Sequence, residues 1–297
     1  MQKSLSPLRY PGGKAKLYNY VRDILDVNDL IGETYIEPFA GGAGLALKLL
    51  QKNDVKRIVL NDLDRAIYSF WWSVINRTDE MCRFVHDVNL DLHEWERQRN
   101  IYINQAQYDD LTLGKATYYL NRTNISGVIS GGVIGGQKQN GNYLMDARFN
   151  RENLIKRIEE IGRLSGKIDI YNMDVFDFIQ PCIMRKYYKV LINFDPPYVE
   201  KGGQLYKNSF NEKDHTDLRN AIKRCKRKWI VTYDICELTQ RLYCDYRTDF
   251  IDINYSVNRS RKAKELIVFS DNLVLPNKEL DIKKRYYFDT KNSVSEE

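Results

Sequence analysis

Short apolar runs that alternate with helical patterns are the feature that most limits the fold of this chain. Most of these runs are β-branched and end in polar residues, as buried parallel strands do. They are Thr34–Phe39, Arg57–Asp62, Ile168–Asn172, Val190–Asp195, Trp229–Tyr233, Phe250–Asn254 and Glu265–Phe269. The helical patterns that separate most of them are Leu45–Leu50, Arg151–Ile161 and Lys213–Lys223. This alternation predicts a doubly wound α/β sheet that binds ligands at the carboxyl ends of its strands.

The connection between the last two runs is too short for a parallel crossover. Strands joined by so short a segment pair antiparallel. We therefore expect a mostly parallel sheet with an antiparallel last strand.

One long segment, 63–167, interrupts the alternation. Its roughly one hundred residues far exceed an ordinary crossover. It is rich in Trp, Tyr, Asn and Arg and contains a glycine-rich patch: Gly127, Gly131, Gly132, Gly135, Gly136 and Gly141. We predict an inserted, mainly helical lobe with a loop or hairpin, placed between the two parts of a core domain, 1–62 and 168–275. Residues 278–297 lose apolar periodicity and are expected to form a loosely attached tail.

Composition argues against several classes of protein. The 297 residues are 43% hydrophobic and 29% charged, which suits a packed core with an ordinary charged surface. No apolar run approaches the roughly 18 residues of a membrane span. The first residues lack the apolar region of a secretion signal, so we expect a cytoplasmic protein. Five scattered cysteines and three histidines show no metal-ligand spacing, which predicts reduced thiols and no metal.

The formal charge of +6 permits a polyanionic partner without requiring one. Two dense basic runs are present, Lys223–Lys228 and Arg259–Lys264. Each is either a solvated surface or, beside a nucleic-acid cleft, a source of phosphate contacts.

Polar and glycine-rich residues follow the first two predicted strands. Glu37–Gly44 joins a strand to a helix, and its glycines allow a tight turn and a close approach to a ligand, although a turn alone also explains them. Asp62 follows the second strand, where a carboxylate can accept hydrogen bonds from ribose hydroxyls. An aspartate at such a point also caps a helix, and Asp62 and Asp64 can divide these two roles.

The strongest signal is Asp195-Pro196-Pro197-Tyr198 at the end of the fourth predicted strand. Two consecutive prolines cannot continue a central strand, so they form a rigid loop with free carbonyl groups. Asp195 and the Pro196 carbonyl can accept hydrogen bonds from the two N–H groups of an exocyclic amine. The Tyr198 ring offers a stacking face for a planar base. The loop therefore predicts chemistry on the amino group of a base.

The order and content of these motifs resemble one family. Asp195–Tyr198 resembles the signature of amino-methyltransferases that act on adenine N6, and Tyr10–Lys14 resembles the N-terminal motif of the Dam-type (class D12, alpha group) DNA adenine methyltransferases. Glu37–Gly44 is similar to their cofactor loop. Further similar segments are Asn61-Asp62, Tyr119–Thr123, Asn172–Asp174, Asn208–Phe210 and Asp214-His215. The resemblance covers roughly Leu8 to Ser270, in the alpha-group order.

The resemblance implies a Rossmann-like, S-adenosylmethionine-dependent methyltransferase, in which the inserted lobe, 63–167, is the target-recognition (DNA-binding) domain. It would methylate N6 of an adenine flipped out of double-stranded DNA, without a metal, and release S-adenosylhomocysteine. The implied catalytic residues are Asp195, Pro196, Pro197 and Tyr198. The implied cofactor-binding residues are Tyr10, Gly12, Lys14, Glu37, Phe39, Ala40, Gly41, Gly42, Gly44, Asp62, Asp174, Val175 and Asp195. The DNA-binding candidates, in the lobe and elsewhere, are Arg122, Asn124, Asn208, Ser209, Arg259 and Arg261.

Several alternatives stay open. After Tyr119–Thr123 the chain reads Asn124–Gly132, without the stretches that GATC-specific members carry there, so GATC specificity is not implied. Enzymes with a similar loop methylate RNA adenine or protein glutamine, although the glutamine enzymes usually carry Asn where this chain has Asp195. A catalytically silent DNA-binding protein on this fold is another interpretation. The sequence does not decide whether a restriction endonuclease is the partner, and a bacterial or phage origin is the expectation for this family.

Overall fold

The computed structural model describes residues 6–10, 14–180, 184–199, 210–255 and 261–276, and only the backbone for 252–255 and 261–263. The strands are β1 (Glu33–Glu37), β2 (Val55–Asn61), β3 (Ile168–Tyr171), β4 (Val190–Phe194), β5 (Lys228–Asp234), β6 (Arg247–Tyr255) and β7 (Arg261–Phe269). The described helices are α1 (Tyr18–Val27), α2 (Gly44–Gln51), α3 (Arg65–Asn76), α4 (Thr78–Asp87), α5 (Leu92–Ile103), α6 (Asp110–Thr123), α7 (Arg151–Gly162), α8 (Val175–Phe178), α9 (Glu212–Arg224) and α10 (Glu237–Leu242). The predicted strands and helices are confirmed, with ends shifted by at most four residues, the largest shift being at the start of β7.

The strands form one sheet in the order β3-β2-β1-β4-β5-β7-β6. β1 lies between β2 and β4 and is parallel to both, with Tyr35 opposite Ile58 on one side and opposite Leu191 on the other. β7 is antiparallel to both β5 and β6, which confirms the expected antiparallel end. β2 lies on one side of β1, and β4 lies on the other side, so the direction in which strands are added to the sheet reverses at β1. A reversal of strand order opens a crevice at the carboxyl edge of the sheet.

Side chains from the two faces of the sheet enter two separate cores. Tyr35 and Ile58 belong to the core that contains α1 and α2. Their chain neighbours Ile36 and Val59 belong to the other core, with Phe178 of α8. Successive residues of a strand point to opposite faces, so a continuous apolar run fills both cores.

The segment between β2 and β3 is mainly helical, as predicted. Phe70 and Trp71 of α3 pack in the same core as the α1–α2 face of the sheet, so the segment is continuous with that core. The glycine-rich stretch forms a loop closed by a single antiparallel bridge between Asn124 and Val133. The assignment of 63–167 as a recognition domain stays a prediction.

Side-chain caps fix the starts of several helices. Asp64 accepts the amide of Ala66 at the start of α3. Asn211 and Asp214 accept each other's backbone amides and form a capping box at the start of α9. These caps begin the helices directly after the loops at the carboxyl edge of the sheet.

The basic run Lys223–Lys228 lies at the amino edge of the sheet, because α9 ends at Arg224 and β5 begins at Lys228. It therefore does not flank the carboxyl edge. The predicted tail, 278–297, lies outside the described residues. Within the described part of the chain, no helix is long and apolar enough to cross a membrane.

Candidate active site

Four acidic residues follow or end the adjacent parallel strands β1, β2, β3 and β4. They are Glu37, Asp62, Asp174 and Asp195. Because the carboxyl ends of parallel strands meet at the same edge, the structure brings these four residues to one side of the sheet.

The glycine-rich turn after β1 is held from three directions. The amide of Gly41 donates to Oδ2 of Asp62 at 2.9 Å, and the carbonyl of Gly41 accepts Nε1 of Trp71 at 2.8 Å. The Tyr10 ring covers the turn so closely that a Cβ on Gly41 would lie 2.5 Å from its Cε1 atom. Gly41 also has φ +43°, and Ala43 adopts a similar left-handed conformation at φ +46°. Only glycine satisfies both the space and the backbone geometry at position 41.

Asn61 joins the loops that follow β1 and β3. Its Nδ2 donates to the carbonyls of Pro38 and Met173, and its Oδ1 accepts the amide of Met173. The side chain of Asn172 adds a hydrogen bond to the carbonyl of Asp62 at 2.7 Å. Asn61, which is buried at the end of β2, is thus a scaffold residue of the site, and its signal in the sequence was the resemblance of Asn61-Asp62 to a family segment.

Asp62 and Asp64 divide the two roles that the sequence suggested. Asp64 caps α3, whereas Asp62 accepts the amides of Gly41 and Asp64. Burial, and then the charge of Asp64, raises the pKa of Asp62 to about 7. Its ribose contact stays a prediction.

Glu37 is buried at the end of β1. Burial, followed by the charge of Asp195, raises the pKa of Glu37 to about 8, against the lowering effect of Lys14. Asp174 caps α8 by accepting the amide of Phe176, and Val175 behind it is buried. The edge therefore presents carboxyl groups that a positively charged ligand would stabilise in their ionised form.

Asp195 is held in place through one oxygen. Its Oδ1 lies 2.9 Å from Nζ of Lys14 and accepts Oγ1 of Thr232 at 2.7 Å. The side chain is 26% exposed. Within the described residues, these polar contacts of Asp195 all involve Oδ1.

Tyr198 is enclosed, although an accessible stacking ring was expected. The residue is 2% exposed. Its hydroxyl accepts Nζ of Lys14 at 3.0 Å and donates to Oε1 of Glu265. The next amide, of Val199, donates to Asp234 on β5. Base stacking on Tyr198 stays a prediction, and in this conformation neighbouring side chains cover the ring.

Lys14 was predicted as a cofactor-binding residue, and the structure places its ammonium group among acceptors of β7 and of the loop Asp195–Tyr198, the predicted catalytic loop. Nζ contacts Asp195, Tyr198 and Oε2 of Glu265, the last at 3.2 Å. Sequence reasoning missed Thr232 and Glu265. The signal for Glu265 was a carboxylate at the start of an apolar strand, which must find a partner if it is buried.

Asn124 was predicted to contact DNA, and the structure does not agree with this. The side chain is fully buried; its Oδ1 accepts Nε1 of Trp95, and its Nδ2 donates to three carbonyls of the glycine-rich loop. One polar atom of the side chain binds α5 and the other binds the loop, so neither is available for a base.

Arg122 is half-buried and binds the carbonyls of Arg148 and Pro7. Burial, and then repulsion from neighbouring arginines, lowers the pKa of Arg122 to about 10. Its proposed DNA contact is untested. Four predicted site residues, Gly12, Asn208, Ser209 and Arg259, lie outside the described residues, as does the side chain of Arg261. No group of three or more potential metal ligands was found among the residues that the structure describes.

One family model and several known proteins resemble this chain. The model, described as D12 class N6 adenine-specific DNA methyltransferase, matches residues 10–258. The Type II methyltransferase M.MjaIII of Methanocaldococcus jannaschii is 23% identical over 223 residues, which cover 71% of this chain and 74% of that protein. A Pyrococcus horikoshii protein, PH1948, for which RNA methyltransferase activity has been suggested, aligns at 12% identity and TM-score 0.41, over 89% of this chain and 85% of its own. M. capricolum TrmK in complex with S-adenosylhomocysteine aligns at 11% identity and TM-score 0.34, over 86% and 70%.

Proposed function

This chain belongs to the D12 class of N6 adenine-specific DNA methyltransferases, and we propose that it is a site-specific enzyme that methylates one adenine within a short duplex sequence. Its methyl donor is S-adenosylmethionine. The observation that carries the proposal is the position of Asp195. Lys14 and Thr232 hold it at the end of β4, beside the acidic edge of the sheet that contains Glu37 and Asp62.

The residues at this edge fit S-adenosylmethionine. The carboxyls of buried Glu37 and half-buried Asp62 have raised pKa values, so a ligand with ammonium and sulfonium charges would stabilise their ionised forms. Asp62 can also accept hydrogen bonds from ribose hydroxyls, and Gly41 allows close approach of the ligand. When bound, S-adenosylmethionine supplies an electrophilic methyl group. We propose that Glu37, Asp62 and Asp174 hold its charged and polar groups.

Asp195 and the Pro196 carbonyl would orient the target amine. The N6 lone pair of adenine is delocalised into the ring, which makes the amine a poor nucleophile. Two acceptors for its protons favour a pyramidal nitrogen whose lone pair points at the methyl group. Orientation of this kind supplies much of the rate of a displacement reaction. The carboxylate of Asp195 would also stabilise the positive charge that develops on N6.

The target adenine would have to leave the duplex, because N6 within the base stack cannot reach the methyl group in line. Stacking on Tyr198 would offset part of the cost of unpairing, which is a few kcal/mol. Since the Tyr198 ring is enclosed, this step requires neighbouring side chains to uncover one ring face.

A group of arginines supports DNA binding on the lobe side. Arg9, Arg122, Arg148 and Arg157 lie near one another, since Arg9, Arg148 and Arg157 each influence the charge of Arg122. None of the ion pairs between described residues involves any of them. Clustered arginines without carboxylate partners repel one another, and a DNA phosphate would relieve that repulsion. Binding should therefore weaken steeply as the salt concentration rises.

A restriction endonuclease of the same specificity is the protein partner that we would seek. The support for it is that one relative is named a Type II methyltransferase.

The test is methylation of unmethylated genomic DNA by the purified protein and S-adenosylmethionine, read by single-molecule sequencing. We expect N6-methyladenine in one short motif. Asp195→Ala should abolish turnover while calorimetry still detects S-adenosylmethionine binding. Asp26→Ala, an exposed aspartate on α1, is the control and should remain active. Bound cofactor without methyladenine in DNA would instead favour an RNA or protein substrate.

A further inference from the structure

A second carboxylate, Glu265 of β7, lies behind the catalytic loop. Its side chain is 1% exposed. Oε2 lies 3.2 Å from Nζ of Lys14, and Oε1 accepts the hydroxyl of Tyr198. Because Nζ of Lys14 is also 2.9 Å from Oδ1 of Asp195, one ammonium group bridges two carboxylates from strands that are far apart in sequence.

Lys14, Asp195 and Glu265 form a charged triad, and its net charge determines the electrostatic potential at the substrate beside Asp195. A pair of Lys14 and Asp195 alone would be neutral, and it would place an ammonium group close to the nitrogen where positive charge develops. With the carboxylate of Glu265 counted, the three side chains of Lys14, Asp195 and Glu265 carry one net negative formal charge. Buried charges act strongly on one another because little water screens them.

We propose that Glu265 is a positioning residue that compensates the charge of Lys14, so that Asp195 keeps a net negative charge facing the adenine N6. This inference rests on the proposed function. Lys14 has the complementary role, since it keeps the two carboxylates from repelling each other. Glu265 acts through Lys14 and Tyr198 and does not itself touch the substrate.

The surroundings of Asp195 set the expected pH dependence. Among the described residues, the groups that face it are Lys14, Glu265 of β7, Glu37 of β1, Thr232 of β5 and Tyr198 of its own loop. Tyr35 and Tyr233 also feel its charge. Burial raises the pKa of Asp195 above its usual range, Lys14 lowers it, and the charge of Glu265 raises it. Removal of that charge should therefore lower the pKa of Asp195.

A purely structural role for Glu265 makes different predictions. In Glu265→Gln, the side chain has nearly the same volume and still offers an oxygen to the Tyr198 hydroxyl. If packing and that hydrogen bond were the whole role, the variant would keep the wild-type pH profile. A second substitution, at Lys14, would then only lower the rate of methylation further.

The experiment compares Glu265→Gln, Lys14→Met and the double variant, with Glu237→Gln, at an exposed position of α10, as the control. Single-turnover methylation is measured across pH, together with KM for DNA, the Kd for S-adenosylmethionine by calorimetry, and thermal stability. In Glu265→Gln we expect the rate to fall roughly ten- to a hundredfold, since a preorganised electrostatic contribution is lost. Kd and KM should stay within about twofold, because the lost interaction acts mainly in the transition state. The acid limb of the pH profile should move to lower pH.

The other variants distinguish the possible outcomes. Lys14→Met leaves two like charges, so its acid limb should move to higher pH; this comparison stands even if Glu265→Gln folds poorly. The double variant should be faster than Glu265→Gln, because the uncompensated ammonium is gone. An unshifted acid limb in both single variants, or a double variant slower than both single variants, would overturn the proposed role of Glu265. Either result would leave the proposed function standing. Failure of the wild type to make N6-methyladenine would overturn this inference together with the proposed function.

Discussion

Asp62 accepts the backbone amide of Gly41 at 2.9 Å, which joins the end of β2 to the turn that follows β1. Gly41 also binds Trp71 of α3 through its carbonyl. The shape of the turn therefore depends on one carboxylate and one indole from different elements. The predicted cofactor site and the inserted segment meet at this turn.

Replacement of Asp62 should weaken cofactor binding. Asp62→Ala removes the acceptor for Gly41 and the predicted ribose contact. Charged hydrogen bonds contribute about 1.5–3 kcal/mol, so Kd for S-adenosylmethionine should rise roughly ten- to a hundredfold. Asp62→Asn keeps one oxygen for the Gly41 amide, so it should lose less affinity for S-adenosylmethionine than Asp62→Ala. Titration calorimetry measures both values, and an unchanged Kd in Asp62→Ala would show that this carboxylate is not part of the cofactor site.

Binding of S-adenosylmethionine should release protons near pH 7. Without ligand, the pKa values of Glu37 and Asp62 are about 8 and about 7, so both carboxyls are partly protonated at that pH. A cationic ligand favours their ionised forms, so the protons leave when it binds. Calorimetry in buffers of different ionisation enthalpy counts the protons. The release should vanish at about pH 9.5, where both groups are already ionised; proton uptake at pH 7 would contradict the assignment.

Thr232→Val should slow methylation without weakening binding. The Thr232 hydroxyl is fully buried and donates to Oδ1 of Asp195 at 2.7 Å. Valine has nearly the same shape but cannot orient the carboxylate, so kcat should fall about tenfold, as expected for the loss of one charged hydrogen bond. The acid limb should move to higher pH, since the Thr232 hydrogen bond lowers the pKa of Asp195.

Thr117→Val is the matched control for this experiment. Thr117 is also fully buried, and its hydroxyl has no hydrogen-bond partner among the described residues. Its replacement should leave kcat unchanged. Equal decreases of kcat in Thr232→Val and Thr117→Val would indicate a general packing effect.

Gly114→Ala should destabilise the contact between α3 and α6. A Cβ at this position would lie 2.5 Å from the carbonyl oxygen of Ser69, a backbone atom that cannot move aside alone. Overpacking of this kind costs about 1–3 kcal/mol. Urea unfolding measures the loss, and cofactor affinity should also fall, because α3 carries Trp71 to Gly41. Gly166→Ala has nothing within 4 Å of the added Cβ and should unfold like the wild type.

Asn124→Ala should lower both stability and DNA affinity. It leaves Nε1 of Trp95 and the loop carbonyls without their partner, at a cost of about 2–4 kcal/mol, since each unsatisfied buried group costs about 1–3 kcal/mol. Asn76→Ala removes one exposed hydrogen bond and should change the free energy of unfolding by less than about 1 kcal/mol. If Asn124→Ala loses DNA affinity but keeps the stability of the wild type, the direct DNA contact that the sequence predicted for Asn124 would be supported.

The sequence by itself determined the sheet and the positions of the main loops. Strand runs such as Val190–Asp195 can be recognised because burial on both faces requires a continuous apolar stretch. The loop from Asp195 to Tyr198 and the turn at Gly41 can be recognised because proline and glycine restrict or relax the backbone locally. Both effects act between residues close in the chain, so one sequence is enough to predict them.

Only the tertiary structure decided which side chains complete the site. Lys14, Asp195 and Glu265 meet through three elements distant in sequence, and no local pattern predicts that contact. Folding also enclosed the Tyr198 ring and buried Asn124, although their residue types suited base contacts. Whether a polar side chain faces a ligand or the interior depends on the packing of distant elements, because a buried polar group must find its partner wherever the fold places one.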